Sequence, residues 1–494
     1  MAMRNRAILA GAVLLAACSE SVIPDYNNST EDQFAVIRTE AQLQQLATGV
    51  LDVDRRTHDF QILLDETIAR DVFRHDAAET RYITQPLGSG SMSPTVFVGQ
   101  SVFNGPYRAI RSAQNLISAA EAAGDELTGG VDFGAEKKSA VRGYAQTIKA
   151  LSYMRLVEQR DTLGTAVYTT PTELNPIQCK ENVLELISAL LDSAKTDLLA
   201  GGEDFGFALP SGFEGYDTPE TFLLFNRALK AKNEYYRAFD LFARTGGANP
   251  AASSARTIDA AAIAAAEAAL AESFYTDGGD PNEGVYHTYS SASGDYLNPN
   301  YDQTKYRINP RVVREAEGTT FVVTGTDTVY TVLDRRVQDK VDLNYAPADC
   351  KVVSTTYSCF IDKVNSTDQH PLPIIRNDEL ALIKAQLLWG RGQYQQALDI
   401  VNLFRLAAGF AVPKTLADFG GADTPAEQLD LMREILKQKR YQLLFESASR
   451  FVDFRMFGIM NEFGKERGND PIPVFPFPSA ESLARGGNTD QVCD

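Results

Sequence analysis

Apolar positions along this chain recur mostly with the 3.6-residue period of helices packed on one face. Phe103, Tyr107, Ile110 and Ile117 form one stripe, Val141, Tyr144, Ile148 and Leu151 a second, and Val183, Ile187, Leu190, Ala194 and Leu198 a third. Each stripe needs a neighbour to bury it, so the three predict helices packed in series. A fourth helix is predicted from Pro219, in a favourable first-turn position after Thr218, through Phe222, Phe225, Leu229, Tyr236 and Phe239 to a stop at Gly246-Gly247. A fifth is the Ala-rich run from Ile258 to Phe274.

From Leu380 to Leu406 a helix ends near Gly390 and restarts after Gly392-x-Tyr394-x-x-Ala397-Leu398. That spacing resembles the second half of a tetratricopeptide unit, in which small residues allow close helix approach and Tyr394 fills the wedge. The lone Trp389 reads as core packing. Between Asp277 and Pro373 the helical period gives way to Gly, Pro, Asn, Tyr and Thr, and Thr319 to Leu333 reads as a hairpin about Gly325-Thr-Asp. The expected fold class is therefore mainly α, a tetratricopeptide-like α-α superhelical scaffold. A loop-rich irregular insert over about 277–373 carries short β-hairpins.

The N-terminus points to location. Arg4 and Arg6 precede the apolar run Ala7 to Ala17, too short to span a bilayer and suited to the core of a secretory signal. The run ends Leu15-Ala16-Ala17-Cys18, which resembles the lipobox of bacterial lipoproteins. Residues 1–17 are then a signal peptide, Cys18 the lipid attachment residue, 18–30 a lipidated tether, and 31–494 a single domain. Acyl chains on Cys18 would hold the chain at a membrane stably. Ser19 rather than Asp follows the Cys, which by resemblance to sorted lipoproteins implies the outer membrane over the inner. An exported chain meets an oxidising compartment, and the β-branched stretch between Cys350 and Cys359 would bring its ends together across a small hairpin. A disulfide is expected there, contributing about 2–3 kcal/mol. Cys179 and Cys493 either pair or remain two buried thiols.

With 44% hydrophobic and 23% charged residues the composition is globular, which excludes a disordered tail protein. The 47 basic and 65 acidic residues give −18, and loss of Arg4 and Arg6 with the signal takes it to −20. Such a surface repels phosphate backbones, so nucleic acid is excluded as a partner. His58, His75, His287 and His370 lack ligand spacing and no CxxC occurs, so zinc is disfavoured and no metal-ligand residues are assigned. Asp277-Gly-Gly-Asp280-Pro-Asn282-Glu283 gathers oxygen ligands out of EF-hand register, leaving calcium or a solvated turn. No nucleophile elbow, dinucleotide fingerprint or P-loop occurs. Tyrosines are dense in two loops otherwise rich in Ser, Asn, Asp and Gly. Tyr82, Tyr289, Tyr296 and Tyr301 are the candidate ligand contacts, because flat rings beside amides and carboxylates suit a polyhydroxylated ligand. The alternative is that they pin the loops to the helices.

The C-terminal third carries an ordered series of motifs. Pro373-Ile-Ile-Arg376-Asn-Asp-Glu379 runs into Ala385, Val401-Asn402 precedes Arg405 and Gly409, Arg440-Tyr-Gln-Leu443-Leu-Phe445-Glu446 precedes Arg450-Phe-Val-Asp453-Phe-Arg455, and Pro471-Ile-Pro473 follows. Upstream stand Tyr107-x-x-Ile110-x-x-Ala113-x-Asn115 and Gly143-Tyr-Ala145 with Lys149-Ala150 and Tyr153, and Asp334-Arg335-Arg336 lies between. Together they resemble the SusD/RagB-like nutrient-binding outer-membrane lipoproteins. That resemblance implies a non-enzymatic protein without cofactor. It would capture an oligosaccharide, a peptide or another nutrient at the cell exterior and deliver it to a SusC-like TonB-dependent β-barrel transporter. A lipid-anchored helical-repeat scaffold for other proteins is the alternative reading, and a surface glycosidase with two spaced carboxylates a third. Glu446 and Arg450, four apart, are expected on one helix face.

Overall fold

The computed structural model describes residues 35–88, 92–170, 174–242, 257–324, 327–344, 349–353 and 356–487. Cys18, the tether and Cys493 lie outside them, as does the Gly246-Gly247 stop.

Helices α1 (Glu40–Ile68), α2 (Phe97–Glu121), α3 (Ala135–Arg160), α4 (Lys180–Leu199), α5 (Pro219–Phe239) and α6 (Ala260–Ala271) follow one another along the chain. Each packs on the next, and α7 (Asn377–Gly390), α8 (Tyr394–Ala407) and α9 (Pro425–Gln442) extend the stack. Helix α10 (Ser449–Met456) then returns to α1. The expected helical scaffold is thus present. Its starts are chemically marked: Thr39 accepts from the Gln42 amide, and Thr218 and Thr424 form capping boxes with Pro at the first turn of α5 and α9. The α7–α8 joint turns at Gly392 (φ +74°), with Ala397 fully buried and Trp389 in the core, its indole donating to the Gln428 carbonyl at 2.6 Å.

Close approach has a residue-level cause. At Gly143 in α3 an added Cβ would lie 2.7 Å from Leu198 of α4, so the missing side chain lets these helices touch.

The insert is a set of small antiparallel sheets. Strands β1 (Val72–Arg74), β2 (Gly284–His287), β3 (Tyr306–Ile308), β4 (Thr320–Thr324), β5 (Asp327–Thr331), β6 (Val341–Asp342), β7 (Lys351–Val353), β8 (Thr356–Ser358), β9 (Phe360–Asp362) and β10 (Leu372–Arg376) carry it. A four-stranded sheet runs β1-β3-β9-β6, and β10 pairs with β2. The predicted hairpin is β4–β5, with Phe321 opposite Tyr330. The predicted Cys350–Cys359 disulfide closes β7–β8, with Cα atoms 3.9 Å apart. Because β1 precedes the insert in sequence and β10 leads into α7, the insert is tied at both ends. Ile62 and Leu63 of α1, Tyr306, Ile308, Val312, Phe360, Tyr441 and Phe445 form its own core.

The sequence pattern left one helix unpredicted, and one expected pairing changes. The helix at 40–68 escapes the periodic pattern because its second half buries Asp54, His58, Asp59, Gln61, Asp65 and Glu66 among the apolar positions. Glu446 and Arg450 do not share a helix face. Helix α9 ends at Gln442 and α10 starts at Ser449, with Phe445 between them at φ +57°. Glu446 pairs with Arg376 at 2.9 Å and Lys340 at 2.6 Å, whereas Arg450 pairs with Asp71.

Gly143→Val should lower unfolding free energy by about 1–3 kcal/mol through overpacking against Leu198. Gly49→Ala, mid-α1 with nothing within 4 Å of the new Cβ, should gain up to about 1 kcal/mol. Urea titration of both variants checks this, and equal effects would refute the close-approach argument.

Candidate functional site

A cleft of about 580 Å³ opens where α1 faces the insert. Helix α1 contributes Gln44, Asp52 and Arg55, the α4–α5 connection Phe207 and Leu209, and the insert His287, Thr288 and Asp295. Asp52 and Arg55 are three apart on α1, so both reach the same side.

Arg55 joins the walls. Its Nη1 donates to the Thr288 carbonyl at 2.6 Å, and its Nη2 donates to Asp52 at 3.0 Å and Asp295 at 2.7 Å. Ser290 donates to the other Asp295 oxygen at 2.7 Å. On the opposite wall the Gln44 amide makes two hydrogen bonds with the Ala208 backbone, at 3.0 and 2.8 Å. That clamp fixes Phe207, which stacks on Phe205 with centroids 5.2 Å apart and meets Tyr144 edge-on at 5.0 Å. The cleft thus offers the partly exposed Phe207 ring, backed by the buried Tyr144, and a rim of amide, carboxylate and carbonyl oxygens, a combination suited to the C–H faces and hydroxyls of a sugar.

Below it, the His287 Nε2 donates to Asp54 at 2.8 Å, and Arg155 of α3 grips Asp54 through Nε at 2.8 Å and Nη2 at 2.9 Å. Burial alone would raise the Asp54 carboxyl, but the Arg155 guanidinium and the His287 hydrogen bond hold it below the usual carboxylate range. Burial pushes both His287 and His58 down, so both rings are neutral. His58 accepts from Arg155 at Nδ1 and donates through Nε2 to the Pro373 carbonyl at 2.8 Å.

Of the predicted tyrosines, Tyr289 and Tyr296 come together, edge to face at 5.5 Å, with the Arg55 guanidinium 5.4 and 4.3 Å from their rings. Tyr289 is 4% exposed and its hydroxyl is buried without a hydrogen-bond partner, so it backs the Arg55 wall. Tyr296 is half-buried and carries Arg56 at 4.0 Å. Tyr82 belongs to another patch, under Arg74 at 4.0 Å and edge-on to Phe97 at 5.5 Å. Tyr301 is exposed. Neither Tyr82 nor Tyr301 lines the cleft. The candidate calcium turn is otherwise engaged: Asp277 pairs with Lys384 at 2.7 Å and Glu283 accepts from the Tyr216 hydroxyl. Tyrosine density missed Gln44, Asp52, Arg55 and Phe207. Their signals were the Asp52-x-x-Arg55-Arg56 spacing and Phe205-Gly-Phe207 ahead of Pro210.

No family model matches the chain, and no curated protein matches its sequence. Among solved structures, a SusD superfamily protein from Bacteroides vulgatus is similar at 12% identity and TM-score 0.58, over 92% of this chain and 98% of that one. A laminarin binding SusD-like protein is similar at 16% and 0.59, over 90% and 97%. Surface glycan-binding protein A from Bacteroides thetaiotaomicron is similar at 13% and 0.61, over 93% and 99%. At these identities the likeness shows the fold: this chain has the SusD-like, tetratricopeptide-like helical architecture.

Asp59, beside the cleft on α1, is pushed up to about 8 by burial, against the Phe60 amide and the Tyr296 hydroxyl 3.4 Å away. Its folded-state pKa exceeds the unfolded one, so the folded chain favours the proton. Stability is then lost as pH rises from about 4 to about 8, each pH unit in that window costing about 1.4 kcal/mol. Asp59→Asn should flatten the fall in melting temperature between pH 5 and 8, and an unchanged profile would refute the assignment.

Proposed function

We propose that this protein is a cell-surface lipoprotein that captures a nutrient, an oligosaccharide above a peptide, and passes it to a TonB-dependent outer-membrane β-barrel transporter. The cleft carries the reading. It joins an aromatic ring, Phe207, to fixed oxygen and nitrogen groups from three separate segments, at a size that admits several sugar rings. The SusD-like fold supports it, as do neighbours described as binding laminarin or surface glycans. Among the described residues no helix is long and apolar enough to cross a membrane, and Leu15-Ala16-Ala17-Cys18 supplies the anchor in this proposal. Capture is binding and release, without covalent chemistry.

A protein-scaffold role is the second reading, favoured by one feature. The β4–β5 hairpin exposes Phe321, Val322, Val323 and Val329, each by more than half, with Asp327 its one charged residue from 320 to 331. Recovery from a native membrane extract decides between the two: a co-purifying β-barrel supports capture, and other protein partners alone support the scaffold.

In calorimetry against a panel of oligosaccharides and peptides, a member of the panel should bind, and Phe207→Ala and Arg55→Gln should each weaken it at least tenfold with the fold retained. Unchanged affinity in both would remove the cleft from consideration. Metabolic labelling with palmitate should tag the chain, and Cys18→Ala should abolish the label and release the protein from membranes; an unlabelled wild type would end the lipoprotein reading.

A further inference from the structure

Every ionic group at the cleft is already committed to another. The lining contains two carboxylates, Asp52 and Asp295, and one cation, Arg55. Arg55 serves both carboxylates through Nη2 and the Thr288 carbonyl through Nη1, while its Nε is buried out of reach. The second Asp52 oxygen takes Arg56 at 3.0 Å. Beneath, the Asp54 charge is neutralised by Arg155. His287, which also lines the cleft, donates a hydrogen bond from Nε2–H to the Asp54 carboxylate, so its Nδ1 is an acceptor.

A carboxylate or sulfate entering this space would leave water and find no free cation among the described lining residues, the half-exposed Arg56 lying outside the lining and bonded to Asp52 through Nε, inside a chain whose net charge is −18. A hydroxyl, by contrast, can donate to the Asp52 or Asp295 oxygens or to His287 Nδ1 without disturbing the Arg55 junction. Resting on the capture reading above, we infer that the cleft selects uncharged oligosaccharides and rejects acidic ones, with Asp295 and Asp52 as the specificity-determining residues. They act by holding Arg55 away from the ligand's charge. Aromatic contact at Phe207 is indifferent to that charge, so selectivity and overall affinity come from different parts of the cleft.

The test uses the full chain and a matched panel of neutral hexose oligosaccharides and uronate oligosaccharides of equal length, read by calorimetry at fixed salt. Neutral ligands should bind at least tenfold more tightly than their uronate counterparts. Asp295→Asn, which frees part of the Arg55 charge, should narrow that ratio at least threefold, with an unchanged melting temperature showing that the fold persists. Asp52→Asn should narrow it in the same direction and serves if Asp295→Asn unfolds. A change of ratio separates a specificity role from a structural one, since loosening of the wall would lower both affinities together. Uronate binding as tight as neutral binding in the unaltered chain, or a ratio unmoved by either substitution, would overturn the selectivity while leaving capture intact. Binding of neither class would overturn oligosaccharide capture and the selectivity with it.

Discussion

The Asp54 carboxylate is the constraint on which the rest of the arrangement turns. It sits on α1, 1% exposed, and is held by a guanidinium from α3 and an imidazole from β2, so one ion joins the first helix, the helical stack and the insert. A charge so placed tolerates no slack. Removing one partner of such a pair costs about 3–5 kcal/mol, because the survivor is left buried and uncompensated. Arg155 must therefore lie across from α1 at one position, and β2 must enter the interface where His287 reaches Asp54. The cleft floor is the exposed side of that junction.

The same device recurs through the interior. Lys232 of α5 lies between Glu158 of α3 at 3.3 Å and Glu379 of α7 at 3.0 Å. Lys439 of α9 pairs with Asp453 of α10 at 2.9 Å, and Asp453 also accepts from the Tyr235 hydroxyl at 2.9 Å. Arg440 and Arg450 converge on Asp71, directly before β1. Arg376 at the end of β10 meets Glu446 beyond α9. Apolar packing would permit helices to slide past one another with little change in buried area, whereas paired charges at fixed points set each helix against its neighbours. The insert's two anchoring strands each end in or beside such a pair, which explains how a loop-rich segment keeps a defined position on a helical stack. A cleft walled by insert on one side and helix on the other depends on that position.

Residues that looked alike in sequence have different work. Tyr289 and Tyr296 are neighbours of the cleft that press on Arg55 from behind, Tyr82 belongs to an aromatic patch of its own, and of the two large aromatics in the lining Tyr144 is fully buried while Phe207 is partly exposed. Tyrosine density marked a segment of chain beside the candidate cleft, whose lining includes none of the four candidate tyrosines, since a ring's availability depends on which of its faces is already covered.

The helical scaffold, the pairing of β4 with β5 and the Cys350–Cys359 bridge were legible in the sequence, because periodicity, β-branched runs and short-range cysteine spacing are local properties written in consecutive residues. The ordered motifs from Pro373 onward pointed to the SusD-like architecture for the same reason. Helix α1 was hidden because its buried face is half polar, and the fate of Glu446 and Arg450 was hidden because a break between two helices moves them to different partners. Where the cleft lies was decided by tertiary structure alone: Gln44, Phe207 and Asp295 are separated by more than eighty residues at each step. Nothing in one stretch of chain records which distant carboxylate will meet Arg55. Sequence supplied the elements and their apolar faces; the long-range pairing of buried charges chose how they meet.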